Sequence, residues 1–168
     1  MSEPHNSEAL ANDLLFYSPS KKTNLLNPVV LAYVGDSVFE LLVRQYLVSL
    51  PNHKPHHLHR EATGIVSAKA QRRILLEHWQ PLLTEEEADV VRRGRNTKSG
   101  APPKNADPAD YRQATALECL VGYLYYEGRI QRLHELFACA IAAREDGEER
   151  PAQPAAPSTA AKKTKEGE

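Results

Sequence analysis

Cysteine is scarce in this chain. Only Cys119 and Cys139 occur in 168 residues, too few for a disulfide framework or a Cys-rich zinc site. Charge of one sign is also missing. Lys and Arg number 21 against 22 Asp and Glu, so the net charge is -1 and no uniformly basic coat exists. A local basic patch is still compatible with that balance. No uninterrupted apolar run is long enough to span a bilayer, so no membrane partner is expected. Met1 to Asn12 carries acids and no apolar core, which gives no secretory signal. No internal repeat occurs. With 41% hydrophobic and 26% charged residues, the expectation is one globular domain in a reducing compartment, the cytoplasm.

The ends differ from the middle. Residues 1–22 are polar apart from Leu14 to Tyr17 and are expected to be flexible. From residue 146 the chain is acidic, then Pro/Ala-rich, then basic, a composition expected to be disordered through 168. The expected folded domain is 23–145.

That domain reads as helices. Asn27-Pro28 is an N-cap followed by a proline suited to the first helical position. Apolar residues then occupy more than one face as far as Leu50, as in a central buried helix, with Gly35 as a point where it could bend. Lys54 to His59 reads as a loop or a short helix. Glu61 to Trp79 is helical, with Ile65, Ala68, Ile74 and Leu75 near one stripe. Thr84 before three glutamates starts the next helix. Asn96 to Pro108 is a long loop. Asp107-Pro108 opens a helix that Gly128 ends, and Arg129 to Ala143 is the last. No alternating strand pattern is present, so the fold is expected to be all-α.

Two acids stand where a core is expected. Asp36 and Glu40 are the only charges between Val29 and Val43, and Glu118 is the only one between Gln113 and Tyr126. Buried carboxylates are costly unless paired or bound to a cation. If the two apolar helices pack together, Asp36 and Glu118 converge. With no Cys or His beside them, they suit a hard cation such as Mg²⁺, or Mn²⁺ in its place. Pairing with a buried arginine, or capping of a neighbouring helix, fits the same pattern. Glu40 reads as structural, four residues before Arg44.

Arg92 to Lys104 holds Arg92, Arg93, Arg95, Lys98 and Lys104 and no acid, together with Gly94, Asn96, Ser99 and Gly100. This is either a solvated surface segment or a contact to a phosphate backbone. His53, His56, His57 and His59 suggest zinc, but Pro55 argues against helical ligand spacing and favours a polar surface loop. Both cysteines read as small buried hydrophobes, and Tyr123, Tyr125 and Tyr126 as packing aromatics.

Leu31 to Glu40, reading LAYVGDSVFE, resembles the signature helix of the ribonuclease III catalytic domain. Val66 to Gln71, Arg92 to Gly100 with Pro103 to Asn105, and Tyr111 to Tyr125 resemble further blocks in the same order. The closer similarity is to mini-ribonuclease III, the short bacterial form without the double-stranded-RNA-binding domain. It covers roughly Leu25 to Ala143. The resemblance implies an all-α helical bundle, homodimeric, that cuts double-stranded RNA with Mg²⁺. It implies Asp36 and Glu118 as catalytic metal ligands, and Arg92, Arg93, Arg95, Asn96, Lys98, Lys104 and Lys69 as RNA-binding residues. Ala32 and Thr115 stand where full-length ribonuclease III has two further acids. The implied substrate is the precursor of large-subunit (23S) ribosomal RNA, and the implied products carry 5′-phosphate and 3′-hydroxyl ends. The rival expectation is a non-catalytic RNA-binding or ribosome-assembly protein on the same fold.

Overall fold

The computed structural model describes residues 17–98 and 100–148. Expectations for the chain before and after those residues, and for Ser99, lie outside them. After a 3-10 turn over Thr23–Leu25 come six helices: α1 (Pro28–Ser49), α2 (Pro55–Val66), α3 (Ala68–Arg73), α4 (Glu85–Asn96), α5 (Pro108–Tyr126) and α6 (Ile130–Glu148). A π-helical segment, Ile74–Trp79, and a 3-10 turn, Gln80–Leu82, continue α3. No strand occurs among the described residues.

Helix starts follow their caps. Asn27 accepts from Val29 N, and Asp107 accepts from Ala109 N and Asp110 N. Thr84 and Glu87 form a reciprocal capping box. Three boundaries differ from the sequence reading. Pro55 opens α2 at its first position, where a missing N–H costs nothing, so His56, His57 and His59 are helical. The Glu61–Trp79 helix is broken at Ser67, which has extended backbone (φ -61, ψ 149) and caps α3 by accepting from Ala70 N. α6 extends to Glu148, beyond Ala143.

α5 is the central helix. Ten of its residues are buried, and α1, α3 and α4 pack on it. A core of Phe39, Trp79, Leu117, Leu120, Leu124 and Leu136 excludes water. Phe39 meets Trp79 and Phe137 edge to face, at 6.4 and 5.9 Å between centroids. Trp79 Nε1 donates to Leu136 O at 2.8 Å, which satisfies its only polar atom.

The α1–α5 crossing is a backbone contact. A Cβ built on Gly35 would lie 1.7 Å from Glu118 O, and one on Gly122 would lie 2.0 Å from Leu31 O. Any side chain at either position would force the helices apart. Gly35 therefore does not bend α1, which runs unbroken through it; it admits α5.

Candidate active site

The glycine contact places the next residue of α1, Asp36, beside Glu118 of α5. Both line one cavity of about 450 Å³ with Ala32, Tyr33, Tyr111 and Thr115. Asp36 is exposed at its mouth, and Glu118 is half-buried. Burial, then the Asp36 charge, pushes the Glu118 carboxyl up to about 8. Asp36 is raised too, by its own desolvation and then by Glu40. No Lys or Arg is among the groups that act on either acid. Among the described residues neither acid forms an ion pair or caps a helix, so the pairing and capping alternatives find no partner there.

The surroundings fit a hard cation in one respect and exclude a protein cage. Thr115 Oγ1 donates to Tyr111 O at 2.9 Å, and Ala32 is buried and apolar. Among the described residues, no group of three or more His, Cys, Asp and Glu side chains is placed to hold a metal ion. Two carboxylates suit a cation such as Mg²⁺, which keeps several waters and shares the phosphates of its substrate.

Gln71 went unnoticed as a site residue. It is 1% exposed on α3, and its amide favours the charged form of Glu118 against burial. The available signal was a polar residue three and four positions before Ile74 and Leu75, on the face that α3 buries.

The basic segment is divided. Arg92, Arg93, Arg95 and Asn96 belong to the last turns of α4, and only Lys98 and Lys104 lie in the loop. Gly94 serves packing rather than ligand approach, since a Cβ there would lie 2.8 Å from Cys119 Cβ. Arg92 pairs with Asp89. Among the described residues, Arg93, Arg95, Lys98 and Lys104 form no ion pair, and Lys98 and Lys104 are exposed. Lys69 is exposed on α3 near Arg72, whose guanidinium holds Asp110 at 2.9 Å.

Glu40, Cys119 and Tyr123 have partners or surroundings within the fold. Glu40 meets Arg44 at 3.3 Å. Cys119 is buried, and desolvation pushes its thiol up to about 12. Tyr123 packs in the core and donates to Glu86.

Comparison with known proteins agrees with this geometry. Residues 29–129 match the Ribonuclease III domain. A Mini-ribonuclease 3 of Brevibacillus brevis is 49% identical over 123 residues, covering 73% of this chain and 91% of the relative. One from Enterococcus faecalis is 50% identical over 117 residues, covering 69% and 89%. A crystal structure of a Fusobacterium nucleatum protein superposes with a TM-score of 0.65 at 26% identity, covering 74% of this chain and 99% of that one. The helical architecture and these similarities together make the chain a member of the ribonuclease III family, of the mini-ribonuclease 3 kind, and an endoribonuclease.

Proposed function

We propose that the chain cleaves double-stranded RNA by metal-dependent phosphodiester hydrolysis, with Asp36 and Glu118 holding Mg²⁺, or Mn²⁺ in its place. The observation that carries this is the pair of carboxylates in one cavity with no cationic side chain acting on either. A bound divalent ion supplies Lewis acidity, which lowers the pKa of water and stabilises charge on the phosphate oxygens. Asp36, at the cavity mouth, faces the incoming phosphate. Glu118, deeper, anchors the cation. Cleavage of this kind leaves 5′-phosphate and 3′-hydroxyl ends.

The substrate grips are Arg92, Arg93, Arg95, Asn96, Lys98 and Lys104, with Lys69 of α3 as a further contact. A-form RNA is read mostly by shape and phosphates, which basic side chains and an amide suit. The natural substrate in this reading is the 23S ribosomal RNA precursor, in the cytoplasm. The two free thiols accord with a reducing compartment.

The acting unit in this reading is a homodimer. α1 exposes Val30 (47%), Tyr33 (81%), Leu41 (46%) and Val48 (57%) along its outer side. A second copy of the same face would cover them about a two-fold axis and set one site against each strand. Tyr33 also lines the acidic cavity, so the interface would border the site.

The deciding experiment is cleavage of a duplex RNA with and without Mg²⁺, by wild type and Asp36→Asn, with end analysis of the products. The expected result is Mg²⁺-dependent cutting that the substitution abolishes. Binding without cutting at saturating Mg²⁺ would overturn the catalytic reading. Cutting of a 23S precursor within its flanking duplex tests the natural substrate. Light scattering of wild type and Tyr33→Asp tests the dimer.

A further inference from the structure

α3 gathers Lys69, Arg72 and Arg73 onto one short helix that carries no acid. Ser67, with its extended backbone, starts this helix afresh and so sets its phase. Lys69 and Arg73 are four residues apart and share a face. Both are exposed, while Gln71 between them is buried.

The three cations line a cavity of about 490 Å³ together with Glu77 and Asp110. Arg72 is already committed there. Its guanidinium donates to Asp110 at 2.9 Å and ties α3 to the first turn of α5. Lys69 and Arg73 are not committed: among the described residues neither forms an ion pair. Glu77 stands four residues after Arg73, the spacing at which opposite charges pair along an α-helix. From Ile74, however, the chain is π-helical, with a wider turn, and no ion pair joins the two. Two open cations therefore face one open acid in a concave surface.

This cavity adjoins the acidic one. Asp110 lines the basic cavity, and the next residue, Tyr111, lines the cavity of Asp36 and Glu118. A polyanion with one phosphate at the two acids can lay a neighbouring phosphate across the first turn of α5 against α3. The chain as a whole has a net charge of -1, so attraction of a polyanion must come from such local cations.

We propose that this groove is a second grip on the RNA backbone, in which Arg73, with Lys69, binds phosphates of the duplex beside the cut. It rests on the reading of the chain as a duplex-RNA nuclease. It is separate from the basic segment of α4 and the loop after it, since α3 and α4 each pack on α5.

The test titrates the full chain with one duplex RNA in metal-free buffer at several salt concentrations. Wild type, Arg73→Ala, Glu77→Gln and Lys98→Ala are compared, and their melting temperatures are measured. Arg73→Ala is expected to weaken binding severalfold at low salt and to make the salt slope shallower by about 0.7–0.9. Glu77→Gln removes the open acid of the groove and should do the opposite: binding tightens, by a factor that shrinks as salt rises. Both variants should melt with wild type, because among the described residues neither side chain has an ion-pair partner to strand. Wild-type affinity and slope in Arg73→Ala would overturn the proposal, and that is the outcome if the groove serves an acidic protein segment instead. Weakened binding by Lys98→Ala in the same series would then leave the duplex-RNA reading standing. Failure of wild type to bind the duplex would overturn both. If Arg73→Ala does not fold, Glu77→Gln carries the test: salt-dependent tightening supports the proposal, and wild-type affinity overturns it.

Discussion

Two glutamates, one buried and one half-buried, occupy opposite situations. Glu87, at the start of α4, is 1% exposed and accepts from Arg132 Nε and an Arg132 terminal nitrogen, each at 2.8 Å, and from Thr84 N at 2.9 Å. The Arg132 guanidinium holds its carboxyl below the usual range against the opposing effect of burial. Glu118 has burial, Asp36 and Glu40 acting against its charge and only the Gln71 amide acting for it. One carboxylate is complete within the protein. The other lacks a positive charge that the protein does not provide. The difference separates a structural acid from a ligand more clearly than burial does.

The largest effect expected from this contrast is on chemistry. Asp36→Asn and Glu118→Gln should each lower duplex cleavage roughly a thousandfold. Neither should destabilise the metal-free fold, because each removes a repelled charge. Single-turnover cleavage and thermal melting measured together check this. Loss of both cleavage and folding would place Glu118 in the same class as Glu87.

Arg132→Met should do the reverse. It strands Glu87 and should cost about 2–4 kcal/mol, discounted from the range for fully buried pairs because Arg132 is partly exposed. Urea unfolding measures it. The cleavage rate per folded molecule should stay at the wild-type level.

pH sharpens the comparison further. The Glu118 carboxyl is raised from 4.5 to about 8, so its contribution to metal-free stability is present below pH 4.5 and is lost as pH rises toward 8. Glu87 is lowered, so its contribution is present above pH 4.5 and is lost on acidification. Metal-free Glu118→Gln should gain about 1–3 kcal/mol over wild type at pH 8 and nothing at pH 4. A constant difference across that window would contradict the assignment.

The smallest effects belong to the basic edge. Arg95→Ala and Lys98→Ala should each weaken binding to duplexes of any sequence and make the salt slope shallower by about 0.7–0.9. Folding should change by less than about 0.5 kcal/mol for exposed Lys98. Normal binding with slow cleavage would make these residues aligners of the scissile phosphate.

Much of this was legible in the sequence, where local chemistry sets local structure. Asn27-Pro28, Thr84 with Glu87, and Asp107-Pro108 mark helix starts because their side chains satisfy the amides that follow them. The lone acids stood out because nothing else in their apolar surroundings is charged. The break at Ser67 was hidden because the apolar stripe passes through Ile65 and on to Ile74 and Leu75, so periodicity registers no interruption. The division of the basic segment was hidden for a related reason. Gly94 reads as a loop residue until Cys119 is seen to occupy the space its side chain would need. Gln71 acts on the Glu118 carboxyl from another helix, and pattern along one helix cannot report it.

The meeting of α1 and α5 at Gly35 and Gly122 has a consequence for how the enzyme can vary. Main chain against main chain is the hard stop of helix approach, with no side chain to compress, swing aside or substitute. The span between the two acids is therefore gauged by peptide groups, and the surrounding core can drift in composition without resetting it. Exchanging Leu120 or Phe39 for another hydrophobe alters how firmly the bundle holds. Exchanging either glycine alters the calibration of the site itself.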